Sequence, residues 1–474
     1  MSKPTENKLQ RNLSPLNVWA LALGSIIGWG AFVMPGNTFL PKAGPAGTAI
    51  AMGIAALIMI SIAFNYNYMI NKFPVAGGEF TYTQKTFGTM AAYVCAWFLG
   101  LSYLAIVPLN ATALALIGRN LFPQVFQWGY LYSVEGYSIY AGEVLLAMGA
   151  LILFAWMNIR GISVAGKFQT VLALLLVGSV ALLGAAALVS EKATLSNLTP
   201  AFQTEANGSI SIGGIVAVIA VAPWAFVGFD SIPQASEEFN FSPKKTKVIM
   251  ILSILFGGLL YIVLNTITAA VVPADYSSWT DYIGDLKNLD GTLAMPTFNA
   301  AKELLGIPGL AILAVALFCA VLSGIIGFYM ATSRLLYSVS KEGILPAAFS
   351  KLHPKYNTPY VAILFVMAVS LCAPWFGREV LGWVVDMSSI GAAIGYGFTS
   401  AATFMTLRKE RDGSKLLRIN AILGTTFALI FIVILLSPAS LGFGGLSTPA
   451  RIALVIWCVL GAVFFLRARK AKQK

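Results

Sequence analysis

Charged side chains are scarce in this sequence. Only 11% of its 474 residues are Asp, Glu, Lys or Arg, whereas 58% are hydrophobic, and the mean hydropathy is +0.79. An ordinary soluble domain is about 25% charged, so this composition excludes a chain made mainly of soluble domains. We therefore expect most of the residues to lie in lipid.

Cysteine and histidine are also scarce, which leaves few groups for metal or acid–base chemistry. No Cys-x-x-Cys pair is present, so we expect packing roles for the four cysteines and no metal site. The single histidine, His353, lies in a charged loop, which excludes a Ser-His-Asp triad or a histidine proton relay in the membrane. We expect no enzyme activity and no cofactor. The cysteines, each within an apolar run, are Cys95, Cys319, Cys372 and Cys458.

Long apolar runs, in contrast, are abundant. A membrane-spanning helix needs about 20 mostly apolar residues, and short polar interruptions divide this chain into twelve such segments. The first run has no signal-peptide cleavage site, so we expect no cleaved leader. The predicted helices cover residues 16–40, 44–71, 90–118, 141–158, 168–189, 210–236, 247–272, 309–338, 359–376, 380–406, 416–436 and 449–466.

Positive charge is distributed unevenly over the loops. Twelve spans place both termini on one side of the membrane, and seven of the 31 Lys and Arg residues lie on the other side. Since cytoplasmic loops carry the excess of Lys and Arg, we predict a multi-pass protein of the cytoplasmic (inner) membrane with both termini cytoplasmic. The net charge of +12 then favours contact with anionic membrane lipid, and we expect no nucleic-acid partner. The seven are Lys42, Arg119, Lys192, Lys287, Lys302, Arg378 and Arg451.

The first and sixth apolar segments are interrupted near their centres. The first contains Gly24-Ser-Ile-Ile-Gly28-Trp-Gly30, and the sixth contains Pro223-Trp-Ala-Phe-Val-Gly-Phe-Asp230. Broken helices at corresponding positions are typical of inverted-repeat transporters, in which unwound backbone binds substrate at the bilayer midplane. Free N–H groups suit a carboxylate and free C=O groups suit an ammonium, the two charges of an amino acid. The alternative for the first motif is a Gly-x-x-x-Gly face that packs closely on another helix.

Two further motifs accompany the interrupted segments. They are Pro74-Val-Ala-Gly-Gly-Glu-Phe-Thr-Tyr82 after helix 2 and Lys341-Glu-Gly-Ile-Leu-Pro346 after helix 8, while the sixth segment runs on to Glu237-Glu238. Together these motifs resemble the amino acid–polyamine–organocation (APC) superfamily of permeases. The resemblance implies an all-α integral membrane fold with 12 transmembrane helices, namely a LeuT-type 5+5 inverted repeat with discontinuous helices 1 and 6.

The resemblance also implies a division of the chain. A ten-helix transport core, 16–406, would contain one repeat at about 16–189 and a second at about 210–406. Two accessory helices, 416–466, would follow, and we expect them to serve packing or contacts in a homodimer. The cytoplasmic tails would be residues 1–15 and 467–474.

The resemblance further implies that backbone groups of both breaks hold the substrate. The positions are the N–H groups of Gly28, Trp29 and Gly30 for the carboxylate, the carbonyls of Ile26, Trp224 and Val227 for the ammonium, and Ile27 between them. Aromatic side chains would set selectivity, with ordinary helix packing as the alternative for each. These candidates are Tyr103, Trp224, Phe226, Phe229 and Phe328.

Three acids near helix 6 are candidates for gating or coupling. A carboxylate in the hydrocarbon region is costly unless it is paired, protonated or wet. Asp230 would therefore couple protonation to gating or attract an amine, with capping of freed backbone N–H groups as the alternative. For Glu237 and Glu238, at the cytoplasmic end of helix 6, we expect ion pairs with loop lysines.

Two positions depart from the resemblance. Trp29 stands where relatives commonly have Ser or Thr, so it would cap or narrow the site or turn toward another helix. On helix 5, many relatives have a lysine in the place of a coupling sodium ion, and counting along this chain puts that position near Leu176, which is uncharged. The coupling ion, H+ or Na+, therefore stays open, as do exchange and facilitation.

These observations predict a secondary transporter or exchanger of amino acids that works by alternating access. A small-molecule substrate, a neutral L-amino acid, is expected. Within transporters, the alternative is a carrier of cationic amino acids, amines or polyamines. Outside that class, the alternative is a membrane amino acid sensor without net transport, although the short predicted tails offer no signalling domain.

Overall fold

The structure is a computed structural model of the 474-residue chain. It describes residues 9, 11–134, 137–377, 379–410, 415–438 and 445–473. Most of the predicted amino-terminal tail, residues 1–8 and 10, lies outside the described residues, as do Lys474 at the end of the predicted carboxyl-terminal tail and Arg378 of the predicted outer loops.

Helices make up most of the described chain. The first nine are α1 Pro15–Ile26, α2 Gly30–Met34, α3 Leu40–Lys72, α4 Gly78–Phe87, α5 Thr89–Leu121, α6 Pro123–Phe126, α7 Ala141–Arg160, α8 Ile162–Val189 and α9 Ile212–Ala220. The next nine are α10 Ala222–Ala225, α11 Thr246–Ala270, α12 Trp279–Gly284, α13 Pro296–Leu305, α14 Ile307–Lys341, α15 Tyr360–Ser370, α16 Glu379–Glu410, α17 Lys415–Leu436 and α18 Thr448–Gln473. Strands β1 Tyr130–Val134 and β2 Tyr137–Tyr140 form an antiparallel hairpin before α7.

Nine helical stretches of the described residues are long and apolar enough to cross a membrane. One of them, Pro15–Lys72, contains both the first and the second predicted spans, and the apolar helix at the ninth predicted span, Tyr360–Phe376, is shorter. The sixth predicted span is divided into short pieces. The architecture is that of a multi-pass helical membrane protein.

The first span breaks where the sequence concentrates glycine. α1 begins at Ser14, whose Oγ accepts a hydrogen bond from the N–H of Asn17 at 3.2 Å. The helix ends at Ile27, whose φ of −92° and ψ of 83° are not helical, and α2 begins again at Gly30. The helix 1 break, residues 27–29, therefore interrupts the span in mid-course.

The region after α2, where the first span passes into the second, is hydrogen-bonded to the segment that leads into α9. α3 is kinked at Gly44, where φ is +71° and a Cβ would lie 2.9 Å from the backbone nitrogen of Gln203. The N–H of Gln203 donates to the carbonyl of Ala43 at 3.2 Å, and the N–H of Ala46 donates to the carbonyl of Ala201 at 2.9 Å. The two backbone bonds join the region between the first two spans to the start of the sixth.

The sixth span consists of α9, α10 and the 3₁₀ segments Phe229–Ser231 and Pro233–Glu238. The helix 6 break, residues 226–228, contains Gly228, whose φ is +135°. A Cβ at Gly228 would lie 2.7 Å from the backbone nitrogen of Ile26, so glycine is needed both for its conformation and for this close approach. The two breaks therefore meet backbone to backbone.

The long helices pack around these breaks. α14 packs on α5 and α8, α3 packs on α11, and α1 lies among α8, α11 and α14. α17 and α18 lie at the periphery and expose many Leu, Ile and Val side chains, as helices that face lipid do. α18 contacts α5 through Trp457 and Trp97, whose stacked rings have centroids 4.5 Å apart.

Candidate functional site

A cavity lies between the helix 1 break and the helix 6 break. Its volume, mouth included, is ≈ 270 Å³, and its walls come from α1, α5, α11 and the sixth span. None of the ten described residues that line it carries a formal charge. They are Ser25, Ile26, Gly28, Trp29, Ile106, Leu109, Asn110, Trp224, Val227 and Tyr261, and we call this space the central cavity.

The central cavity brings together five of the predicted backbone positions, namely Ile26, Gly28, Trp29, Trp224 and Val227. Gly30 lies directly behind the wall, because a Cβ there would be 2.2 Å from Cη2 of Trp224. Ile27 is fully buried and is not among the lining residues. The predicted positions of both breaks thus lie at or next to one space.

Backbone groups of the breaks are incompletely used. The carbonyl of Ile26 accepts the N–H of Gly28 at 3.2 Å, and the carbonyl of Trp224 accepts the N–H of Val227 at 3.2 Å. The carbonyl of Ile26 also lies 3.5 Å from the hydroxyl of Tyr261, and the carbonyl of Trp224 also accepts the N–H of Phe226, so an ammonium at either carbonyl would compete with these contacts. Trp29 immediately precedes α2 and Gly30 begins it, where a helix leaves its first N–H groups without intrahelical partners.

Trp29 forms part of the cavity wall and is 9% exposed. Its ring lies 6.0 Å from that of Trp224, centroid to centroid, with an angle of 60° between the planes. Its buried Nε1 finds no hydrogen-bond partner among the described residues. Of the alternatives for this position, the geometry favours a tryptophan that narrows the site.

Asn110 and Tyr261 are lining residues that the sequence did not single out. Asn110 Nδ2 donates to the carbonyl of Ile106 at 3.0 Å, while its buried Oδ1 finds no partner within the described chain. The hydroxyl of Tyr261 lies 3.5 Å from the carbonyl oxygen of Ile26. A lone asparagine in the apolar run of α5 was the available signal, since amide side chains inside membranes are uncommon and often interact across helices.

The other predicted aromatic residues lie outside the cavity lining. Phe226 packs near Tyr261, with ring centroids 6.4 Å apart. Phe229 packs against Tyr66 and, in a stacked arrangement, against Tyr396, both with centroids 5.4 Å away. For these two phenylalanines, the structure shows aromatic packing.

Tyr103 and Phe328 also lie outside the lining, with their rings 5.7 Å apart. The hydroxyl of Tyr103 lies 3.0 Å from Oδ2 of Asp230 and 3.3 Å from Oε1 of Glu79. Asp230 Oδ1 accepts the N–H of Gly228 at 2.6 Å, so this carboxylate caps a backbone group freed by the helix 6 break. The sequence predicted Asp230 but assigned no role to Glu79.

Glu237 and Glu238 anchor the carboxyl-terminal end of the sixth span. Glu238 forms a two-fold contact with Arg334 of α14, at 2.9 Å and 3.3 Å, and both side chains are almost fully buried. Glu237 accepts the N–H of Ala76 at 3.0 Å. The expected partner of Glu238, a loop lysine, is wrong, because the spacing of α14 brings an arginine from within the bundle.

On α8, a buried amide side chain reaches helix 1. Leu176 is fully buried and apolar. Gln169, on the same helix, lies near the backbone of two others: its Nε2 is 3.3 Å from the carbonyl oxygen of Ala20 and 3.4 Å from that of Ser323. A neutral amide donor therefore joins α1, α8 and α14.

The fold and the cavity define a class of protein: a multi-pass membrane protein whose interior holds a small uncharged cavity between two broken spans. The chain matches the amino acid permease family over residues 13–464 and belongs to it, within the APC superfamily. This is a family of permeases, which confirms the predicted superfamily.

Individual relatives are distant but match along most of their length. The chain is 24% identical to the branched-chain amino acid permease BcaP of Bacillus subtilis, covering 98% of this chain and 94% of the relative. It is 24% identical to a methylthioribose transporter of the same organism, with the same coverage. It is 27% identical to the glutamate/serine transporter AimA of B. subtilis, covering 87% of this chain and 74% of the relative.

Proposed function

We propose that the protein carries neutral L-amino acids across the cytoplasmic membrane by alternating access, as a secondary transporter or exchanger. The observation that carries the proposal is that residues of two broken spans line one cavity with no charged residue in its described lining. Such a site matches a zwitterion, whose own two charges meet backbone groups while its side chain meets apolar walls.

We assign the substrate carboxylate to the N–H groups of Trp29 and Gly30 at the start of α2, while the N–H of Gly28 would join them by giving up its bond to the carbonyl of Ile26. We assign the ammonium to the carbonyls of Ile26, Trp224 and Val227, assisted by Oδ1 of Asn110. Helix ends support both assignments, since the positive end of α2 points toward the carboxylate and the negative end of α1 toward the ammonium.

The cavity walls favour a neutral and compact side chain. Trp29, Trp224, Ile106 and Leu109 supply apolar surface. The rings of Trp29 and Trp224, whose centroids lie 6.0 Å apart, limit the room for that side chain. The similarity to a branched-chain amino acid permease supports the same substrate class.

The absence of a charged lining residue among those described also bears on the alternative, a carrier of cationic amino acids or amines. A second substrate ammonium would enter a cavity without a carboxylate to pair with, which is costly. Asp230 lies behind the wall, bonded to Gly228 and Tyr103. We therefore favour neutral substrates over cations.

We also propose twelve spans with the LeuT-type 5+5 inverted repeat, the sixth being α9 to Glu238 and the ninth α15. The break positions in the first and sixth spans support this assignment. The bias of Lys and Arg between the loops supports cytoplasmic termini in the cytoplasmic membrane.

Uptake of labelled L-amino acids into liposomes that contain the purified protein tests the proposal. Vesicles are loaded with substrate or left empty, and sodium and pH gradients are imposed separately. We expect uptake of neutral amino acids that unlabelled neutral amino acids inhibit and that L-arginine and putrescine do not. Saturable binding without flux would contradict transport and indicate the sensor, and preferential uptake of L-arginine or putrescine would contradict neutral selectivity.

Asn110→Ala links uptake to the central cavity. We expect an increase in the half-saturating concentration of about tenfold, because one hydrogen bond to a charged group contributes roughly 1.5–3 kcal/mol. Asn207→Ala, in the exposed loop before α9, is the matched control. Equal uptake by both variants would contradict the assignment of Asn110 to the substrate site.

A further inference from the structure

Glu79 is an acid that the substrate site leaves unused. It lies in α4, between the spans that end at Lys72 and begin at Thr89, yet its exposed fraction is 0%. Left-handed backbone at Gly77 and Gly78, with φ of +95° and +41°, directs α4 into the bundle. A carboxylate from a connecting segment is thereby placed in the protein interior.

Its hydrogen-bond partners are neutral. Oε1 accepts from the hydroxyl of Tyr66 at 2.9 Å, and Oε2 accepts from Nε2 of Gln234 at 2.7 Å. The hydroxyl of Tyr103 then links Oε1 of Glu79, at 3.3 Å, to Oδ2 of Asp230, at 3.0 Å. Asp230 also has an exposed fraction of 0%. Two fully buried carboxyl groups thus share one tyrosine hydroxyl.

The number of hydrogen atoms determines how the hydrogen bonds between Glu79, Tyr103 and Asp230 are arranged. A tyrosine hydroxyl has one hydrogen to donate and lone pairs to accept. If Tyr103 donates to Oδ2 of Asp230, and not to the carbonyl oxygen of the same residue, which is also 3.0 Å away, its oxygen can only accept from Glu79. A hydrogen on Oε1 of Glu79 completes the chain, so every group in it has a partner when the pair holds one proton.

The charges around the pair favour the same state. Four ion pairs of the described residues involve other carboxylates, and the buried Arg334 of α14 is bonded to Glu238. Two unpaired negative charges in a low-dielectric interior are costly. The titratable side chains that face the pair are otherwise neutral ones: Tyr66 of α3, Tyr82 of α4, Cys95 and Tyr103 of α5, and Tyr396 of α16.

We propose that Glu79, Tyr103 and Asp230 form a proton-binding site that couples transport to protons. The site holds one proton. When Glu79 gives its proton to the oxygen of Tyr103, the hydroxyl proton of Tyr103 passes to Oδ2 of Asp230, so one proton moves and the total charge is unchanged. The other oxygen of Asp230 accepts the N–H of Gly228, which connects the proton to the helix 6 break.

The titration of Glu79 is consistent with this geometry. Burial, and then the negative charge of Asp230, raise the pKa of Glu79 to about 8. The group therefore exchanges its proton near neutral pH, where a cell-surface transporter operates. The coupling to transport rests on the proposed function, whereas the binding of a proton by the pair does not.

Infrared spectroscopy of the purified protein tests the site without any transport. A protonated carboxyl group has a C=O stretching band that a carboxylate lacks. We expect this band in mildly acidic buffer, its loss on titration past about pH 8, and its absence from the E79Q/D230N double variant. Absence of the band from the unchanged protein, or its persistence in the double variant, would overturn the proposal.

Transport tests the coupling. In liposomes, uptake driven by a pH gradient is divided by counterflow exchange at equal pH, which corrects for the amount of folded protein. We expect Glu79→Gln to lower this ratio to that of vesicles without a pH gradient, and Glu303→Gln, in an exposed ion pair with Lys192, to retain the original ratio.

Tyr103→Phe is the second variant, since it keeps both carboxyl groups and removes only the hydroxyl between them. We expect the infrared band to persist and the transport ratio to fall. An unchanged ratio in Glu79→Gln or Tyr103→Phe would overturn coupling at this site. Failure of the unchanged protein to transport any amino acid would instead refute the proposed function and leave the infrared result to decide on the proton site.

Discussion

At the scale of single residues, Gly30 and Trp224 set the fit between the two breaks. The ring of Trp224 occupies the space that a side chain at position 30 would need, and the same ring lies 6.0 Å from Trp29 across the cavity. A glycine in the first span and a tryptophan in the sixth are therefore one packing unit. Their contact limits the width of the central cavity.

Gly30→Ala would disturb this unit, because the new Cβ would lie 2.2 Å from Cη2 of Trp224. Overpacking costs about 1–3 kcal/mol, so we expect a loss of roughly 5- to 150-fold in the apparent affinity for substrate, measured as the half-saturating concentration for uptake. Gly53→Ala in α3 is the control, since no atom lies within 4 Å of a Cβ there and uptake should be retained. Equal affinities in the two variants would contradict a substrate site beside Trp224.

The residues of the site could be predicted from the sequence only in part. The glycines and the tryptophan of the breaks were accessible because their residue types disrupt a membrane helix. Glu79 was not, since an acid in a connecting segment is ordinarily solvated, and its burial depends on the direction that α4 takes after Gly77. Asn110 carried a weak signal as a polar residue in an apolar run.

At the scale of elements, the carboxyl-terminal end of the sixth span is held by an ion pair. Glu238 and Arg334 join its last 3₁₀ segment to α14, and their side chains are 2% and 1% exposed. The carbonyl of Glu238 also accepts the N–H of Leu13 at 2.9 Å, which adds the start of the first span to the same junction. The start of the first span and the end of the sixth span are therefore both linked, through Glu238, to α14.

Arg334→Leu would leave Glu238 buried without a counter-charge. Breaking a buried ion pair costs about 3–5 kcal/mol, so we expect a large fall in the apparent melting temperature of the purified protein. Lys192→Ala removes one member of the exposed pair with Glu303, which contributes at most about 1 kcal/mol, and should leave the melting temperature nearly unchanged. Similar melting temperatures for both variants would show that the buried pair contributes little.

Counting residues along α8 indicates on which side of the helix a residue lies, but not how deep it lies in the helix bundle. The position that relatives fill with lysine was placed at Leu176, whereas Gln169 is the residue that reaches α1 and α14. The two are seven residues apart, which is about two helical turns and keeps both on one side of α8. The depth of a helix in the bundle depends on loop lengths and packing, which periodicity does not report.

At the scale of the whole molecule, the apolar runs predicted the class of protein, and membership of the amino acid permease family confirms it. The path of the backbone at the breaks could be predicted less well. Composition indicates where a span is weak, but the approach of Gly228 to Ile26 depends on contacts between elements far apart in sequence. Such contacts become visible only when all the spans are packed.

The buried proton site predicts how the stability of the whole protein depends on pH. The pKa of Glu79 is raised from 4.5 to about 8, so the folded protein binds more protons than the unfolded chain between these values. Its contribution to stability is fully present below the ordinary pKa and is lost as the pH rises through about 8. We expect the apparent melting temperature to fall over this range, and to fall less steeply in Glu79→Gln. Equal slopes would contradict a proton held by Glu79.

The backbone hydrogen bonds between the kink at Gly44 and the segment that leads into α9 affect how this region tolerates mutation. Its hydrogen bonds join main-chain atoms of residues 43, 46, 201 and 203, so nearly any side chain is compatible with them. A mutational scan would therefore be nearly silent at positions 46, 201 and 203, but not at the buried Ala43 or at Gly44, where an added Cβ would meet the backbone of Gln203. Tolerance to substitution there would reflect hydrogen bonds between main-chain groups, which nearly every amino acid has. A deletion, or a proline at position 46 or 203, would remove an N–H donor and so disrupt these bonds.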